Sequence, residues 1–284
     1  MAVVQFIFSL LLISLITQIA PSTSETEAAK QSLVNFMTNL SGGNFPTHKY
    51  GWNTTSDPCR WLGVHCDGSQ SVMSISLSGF RFAGTLDAAG TLCSAVESLA
   101  VLILRNNTIS GEIPESLGNC TGLTILALDD NRFTGPIPGS ILRLRDLTAL
   151  EISHNEISGE IPEGLAGIPR LVFFLAENNR LSGAIPRFDF RAMARFNVSN
   201  NELVGPIPEG TGRFGAESFG GNPGLCGKPL ENSCPGWAPP PASEVPSPAE
   251  SPEQKGTGFC SGAGEGWVGL VSALGFSFLL IRFF

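Results

Sequence analysis

The 284-residue sequence predicts an α/β solenoid whose short strands stack as a parallel sheet on one concave face, with a cysteine-bearing cap at each end. Three observations predict it. A block recurs at intervals of 24 residues: LAVLILRNNTISGEIPESLGNC from Leu99, LTILALDDNRFTGPIPGSILRL from Leu123 and LTALEISHNEISGEIPEGLAGI from Leu147. LVFFLAENNRLSGAIPRF follows from Leu171, and MARFNVSNNELVGPIPEG arrives 22 residues later. One asparagine keeps the register throughout, at Asn107, Asn131, Asn155, Asn179 and Asn201. Within each block an L-x-L segment carries the two-residue period of a strand. Self-similarity at such a period marks a stack of units, none of which can bury its own apolar edge.

Each position in the block has a physical role. Leu102/Leu104, Leu126/Leu128 and Leu150/Ile152 point inward from successive strands. The repeated Asn turns inward at the strand's end, where its buried amide must find backbone partners. The G-x-I-P element turns the chain with glycine, then presents an apolar Ile and a proline without a donor. An earlier, degenerate copy, VMSISLSGFRFAGTLD, has Phe80 at the asparagine position.

These residues resemble the plant-type leucine-rich repeat, L-x-x-L-x-L-x-x-N-x-L-x-G-x-I-P, in six copies over residues 72–208. The capping segments fit the same family. Residues 25–71 form the expected N-terminal cap: Leu33, Phe36, Met37 and Leu40 fall at helical spacing, and WNTTSDPCRWLGVHC supplies Trp52 and Trp61 to cover the first repeat. Cys59 and Cys66 are close enough in sequence to close a small loop, in a pattern similar to the N-caps of plant receptor-like ectodomains. FGGNPGLCGKPLENSC, within residues 209–234, is similar to the matching C-terminal cap, and the resemblance implies a Cys226–Cys234 pair. Cys93 and Cys120 are 27 residues apart, the length of the first repeat (Ile75 to Leu102). Equivalent positions in adjacent coils lie about 5 Å apart, inside the disulfide window. A bond is expected there, with two buried thiols as the alternative.

The flanks point outside the cell. Residues 1–24 read as a secretory signal peptide with small residues at Ser22 and Ser24. Five N-x-S/T acceptors follow, at Asn39, Asn53, Asn106, Asn119 and Asn197. Residues 235–266 are a Pro/Ser/Gly-rich stalk, and 267–284 are hydrophobic. The last segment reads either as a single-pass type I span or as a GPI-attachment signal, whose site would be Gly256, Thr257 or Gly258. Cys260, just before it, has no assigned role.

Composition narrows the function classes. The chain carries a net charge of −8 with 17 Lys+Arg against 25 Asp+Glu, and no Lys/Arg run, which argues against nucleic acid. His48, His65 and His154 lack metal-ligand spacing, GAGEG lacks the strand and helix that a phosphate loop requires, and neither a nucleophile elbow nor kinase elements occur. No catalysis and no cofactor are expected. The ectodomain resembles those of plant receptor-like kinases with few repeats, including the pollen and probable inactive groups, over about residues 25–260.

By register, the concave face presents Ile103, Glu151 and Leu175 in one column, Arg105, Asp129 and Glu177 in the next, and Asp130 and His154 in a third, with Phe173 beside them. Its middle is acidic with apolar spots, suited to a basic or amphiphilic segment. The resulting expectation is a membrane-attached receptor-like protein or co-receptor that binds an extracellular protein or peptide. Its output would depend on a transmembrane receptor kinase. Two alternatives stand beside it: a cell-wall repeat protein that binds secreted hydrolases, and a truncated receptor-like kinase product.

Overall fold

The computed structural model describes residues 27–43 and 50–234. The signal-peptide, stalk, hydrophobic-tail and GPI expectations, with His48 and Cys260, lie outside those residues. Among the described residues no helix is long and apolar enough to cross a membrane.

Two sheets run the length of the solenoid. The concave sheet has seven strands, ordered β1 (Val64–Cys66), β2 (Val72–Ser76), β3 (Val101–Ile103), β5 (Ile125–Ala127), β7 (Ala149–Glu151), β9 (Phe173–Leu175) and β11 (Arg195–Asn197). All neighbours are parallel except β1, which pairs antiparallel to β2. The register aligns Ser76, Ile103, Ala127, Glu151, Leu175 and Asn197, the column expected from sequence. It also aligns Ile75 with Leu102, which confirms Phe80 in the place of the first asparagine.

The second sheet was not foreseen. It comprises β4 (Ser110–Glu112), β6 (Arg132–Gly135), β8 (Glu156–Glu160), β10 (Arg180–Gly183), β12 (Glu202–Pro206) and β13 (Gly224–Cys226). Apart from β13, its strands occupy the stretch between a ladder asparagine and the I-P that follows. Their inward residues Phe133, Ile157, Leu181 and Leu203, with Ile109 just before β4, close the core from the other side. The outer side of the coils is made mostly of short 3-10 turns, such as Glu115–Asn119 and Gly139–Arg143. Glu115 holds the next of these turns by accepting from the Gly139 and Ser140 amides at 3.1 and 2.9 Å.

The asparagine ladder joins the two sheets. Asn131 donates to the Leu104, Leu128 and Asp129 carbonyls, while its Oδ1 accepts from the Ile109 amide at 3.1 Å. Asn107, Asn155, Asn179 and Asn201 repeat the arrangement. A sixth member, Asn222, lies in the C-terminal cap, donating to Val198 and accepting from the Leu203 amide. The cap is therefore an additional, shortened coil.

The ends are closed as the apolar stack requires. Helix α1 (Glu27–Leu40) buries Ala29, Leu33, Phe36, Met37 and Leu40 against the first coil. Its last turn meets the chain at Gly84, whose amide donates to the Leu40 carbonyl at 2.9 Å. A Cβ at Gly84 would lie 1.6 Å from the Asn39 carbonyl oxygen, so only glycine permits this approach. Trp52 and Trp61 pack at a ring separation of 5.0 Å, and their indole N–H groups donate to the Leu62 carbonyl and the Ser56 hydroxyl. Cys59–Cys66 and Cys226–Cys234 are bonded at the two ends. Cys93–Cys120 is bonded between α2 (Ala89–Ala95) and the following coil, with Cα atoms 4.7 Å apart. In the C-terminal coils the core changes from aliphatic to aromatic: Phe196 contacts Phe174, Phe188, Phe190, Phe214 and Phe219 at centroid separations of 5.1–6.0 Å.

Candidate functional site on the concave sheet

The concave sheet carries its outward side chains in columns, because adjacent strands are in register and coils differ by a fixed length. The column that begins each strand reads Val101, Ile125, Ala149, Phe173 and Arg195. Together with Ile103 and Ala127 in the next column it forms an apolar strip across four strands. Val101, Ile103, Ile125 and Phe173 remain partly exposed, while Ala127 and Ala149 lie flat in the floor. Leu175 corrects the sequence expectation. Aligned between Glu151 and Asn197, it is only 9% exposed and offers a partner little surface.

The acidic middle is also corrected, since Arg105 reaches across two strands. Its Nε donates to Asp129 Oδ1 at 2.9 Å, and its terminal nitrogen bonds Glu151. The Arg105 side chain is 40% exposed and both carboxylates are 18% exposed, so the cluster is half withdrawn from water. Burial pushes the Asp129 carboxyl above its ordinary 3.8, against the opposing pull of the Arg105 guanidinium. Glu177 accepts from the Ser153 hydroxyl at 2.7 Å. Two of the expected anionic groups thus share one cation, which leaves the three residues with a single formal negative charge, and the middle of the face is less acidic than a row of free carboxylates.

The outermost column consists of Asn106, Asp130, His154, Asn178 and Asn200, all with φ between 52 and 57°. Short polar side chains suit this left-handed conformation better than bulky ones. His154 Nε2 lies 3.3 Å from Asn178 Nδ2, and Asn200 donates to Asn178 at 3.0 Å. Asp130 lies in the same column one coil earlier, and the structure shows no bond joining it to the His154 pair.

The five glycosylation sequons take different positions. Asn106 and Asn197 lie on the concave side, Asn39 on exposed α1, Asn53 in the N-cap loop and Asn119 at the end of an outer turn. The Asn53 Oδ1 already accepts from Thr55 and Ser56, and the Asn197 Oδ1 from the Ser199 amide. A cleft of about 620 Å³ opens away from the concave face, around the Cys93–Cys120 bond, lined by Glu97, Asn119, Thr121 and Asp146 among others. It is shallow and polar, and it holds none of the residues singled out for binding. Among the described residues no group of three or more His, Cys, Asp or Glu is placed to hold a metal.

Two residues that matter here escaped the sequence reading. Ile125 faces outward beside the L-x-L positions and reads as core in a one-dimensional pattern. Arg195 ends the apolar column with an exposed charge.

Comparison with known proteins matches this geometry. The leucine-rich-repeat N-terminal domain model matches residues 28–67, and two leucine-rich-repeat models match 98–120 and 121–181. Probable inactive receptor kinase RLK902 of Arabidopsis thaliana is 35% identical over 115 residues, 40% of this chain and 16% of that protein. A second probable inactive receptor kinase of the same plant is 35% identical over 108 residues, 37% of this chain and 16% of that protein. The chain therefore aligns with only a small part of these curated relatives. Among solved structures, Pollen Receptor Kinase 3 superposes with a TM-score of 0.58 at 30% identity, covering 64% of this chain and 90% of that one. The BIR3–SERK2 complex from Arabidopsis thaliana gives a TM-score of 0.50 at 30% identity, with 73% and 98% covered. PEPR1–AtPEP1 gives 0.57 at 31% identity, with 73% and 28% covered. Spanning nearly the whole of two such ectodomains at 30% identity, the chain belongs to the plant leucine-rich-repeat receptor family.

Proposed function

We propose that the chain is an extracellular binding module that recognises a protein or peptide segment on its concave sheet, acting as a receptor or co-receptor. Signal output passes through a partner transmembrane receptor kinase. The observation that carries this reading is the apolar strip of Val101, Ile103, Ile125 and Phe173, bordered by the Arg105–Asp129–Glu151 cluster. An apolar centre with a polar, hydrogen-bonding rim is the pattern that gives an interface both affinity and register. The similarity to the solved BIR3–SERK2 complex and to PEPR1–AtPEP1 supports partners of this kind. A segment that fits would place one or two aliphatic or aromatic anchors on the strip and a hydrogen-bonding group against the Arg105 cluster.

The test is selection of a random peptide library on cells displaying the full chain, repeated with Ile125→Asp and Phe173→Asp. Sequences enriched on the wild type and lost on both variants support the concave site. An identical set of binders on all three would place recognition elsewhere. Attachment to the membrane is part of the same proposal, by a lipid anchor or a span within residues 256–284. Treatment of intact cells with phosphatidylinositol-specific phospholipase C distinguishes them, because it releases only the lipid-anchored form.

A further inference from the structure

The lateral edge that leads into the concave sheet carries a row of arginines which the net charge of −8 conceals. Successive coils are aligned there by the Val172 amide donating to the Thr148 carbonyl and the Ala194 amide to the Val172 carbonyl. Three residues before these points lie Arg145, Pro169 and Arg191, with Arg170 beside the proline. The next coil adds Arg213, whose Nη1 donates to the Arg191 carbonyl at 3.1 Å and whose guanidinium lies 5.7 Å from the centre of the Phe214 ring. At ~4.8 Å per coil the row from Arg145 to Arg213 runs roughly 14 Å along the solenoid axis.

Arg170 is paired with Asp146 at 3.3 Å. Among the described residues, no carboxylate oxygen lies within 4.0 Å of the guanidinium nitrogens of Arg145, Arg191, Arg213 or the nearby Arg195. Asp189 is engaged by the Arg191 backbone amide, and Glu217 lies on the following turn. Arg213 is thus held against the Arg191 backbone, and among the described residues neither guanidinium forms an ion pair, which leaves both able to meet an incoming anion.

We propose that this edge is a second binding surface, separate from the concave site, and that it takes a linear polyuronate, a sugar polymer bearing a carboxylate on each unit. Two features favour a polysaccharide over an acidic protein. The cations are all arginine, whose planar fork matches a carboxylate with two parallel hydrogen bonds. The edge also lacks the exposed apolar anchor that a protein interface requires: among the described residues the exposed large hydrophobics are Leu62, Met73 and Val204, in the N-cap, in β2 and in the second sheet, and Phe214 beside Arg213 is partly buried against the core. A hydrophilic chain with regularly spaced charges needs only the row.

The experiment uses the full chain purified in detergent, with binding to immobilised polygalacturonate followed by biolayer interferometry. Binding is expected at low ionic strength, weakening as salt rises, with none to the fully methyl-esterified polymer. The triple variant R145E/R191E/R213E is expected to bind at least tenfold more weakly. R145Q/R191Q/R213Q, which keeps the surface polar without reversing its charge, is expected to fall between. Ile125→Asp is expected to bind polygalacturonate as the wild type does, which separates this surface from the concave site. Undiminished binding by the triple variant overturns the proposal. So does equal or tighter binding of a polyglutamate peptide or of vesicles containing an anionic lipid, which would assign the edge to an acidic protein or to a membrane.

Discussion

Replacing Asn131 with alanine removes four hydrogen bonds, yet the loss should be far smaller than four separate bonds. The three carbonyls that Asn131 serves each keep another donor. Leu104 retains the Asn107 amide group, Leu128 retains that of Asn155, and Asp129 retains the Asn106 backbone N–H. Only the Ile109 N–H is orphaned, in a residue with no exposure at all. An unsatisfied buried donor costs about 1–3 kcal/mol, and the complete burial of Ile109 places the expected loss near 2–3 kcal/mol. Simple addition of four bonds at about 1 kcal/mol each would give roughly 4. Urea unfolding with an unchanged m-value measures the difference directly, and amide exchange at Ile109 should accelerate more than at its neighbours. A loss below about 0.5 kcal/mol, or an Ile109 amide as protected as before, would refute the reasoning.

Other perturbations test other parts of the molecule. Phe196→Ala empties the centre of the aromatic cluster and should cost about 3–5 kcal/mol by the same urea assay, whereas Phe196→Leu should cost much less. The Cys93→Ala/Cys120→Ala pair opens a 27-residue loop; chain entropy sets its stabilisation at about 3.5 kcal/mol, measurable from oxidised wild type against the variant. Asp129 has a raised folded-state pKa, so its ionised form opposes folding, and that opposition is relieved as pH falls through the folded value towards 3.8. Asp129→Asn should therefore raise Tm at pH 7, keeping an acceptor for Arg105, and the gain should shrink as pH falls towards 3.8. Gly84→Ala should separate α1 from the first coil, which limited proteolysis within residues 27–50 would report.

Much of the architecture is legible in one dimension because a solenoid converts sequence period into spatial neighbourhood. Coil length alone put Cys93 beside Cys120, and register alone assembled the concave columns. The second sheet was hidden because its strands are only three to five residues long and their inward side chains belong to the same apolar motif as the first. Asn222 was hidden by a changed spacing, 21 residues after Asn201, and by glycine-rich surroundings. The Arg105 cluster and the arginine row needed the actual stacking, since each joins residues two or more coils apart. Leu175 shows the limit of strand alternation, which gives direction but not how closely neighbours crowd a side chain.

The asparagine ladder has a direction. Every side chain of the ladder reaches back, bonding a carbonyl and an amide of the coil before it, and only the backbone N–H groups reach forward, as that of Asn131 does to the His154 carbonyl. A chain emerging from the ribosome meets these locks in the same order in which it is made. Each coil stays provisional until its successor arrives to latch it, so assembly advances as a ratchet towards Asn222. A chain interrupted between Asn201 and Asn222 would leave the Leu203 amide without its acceptor. The shortened last coil is thus the clasp that fastens the one before it.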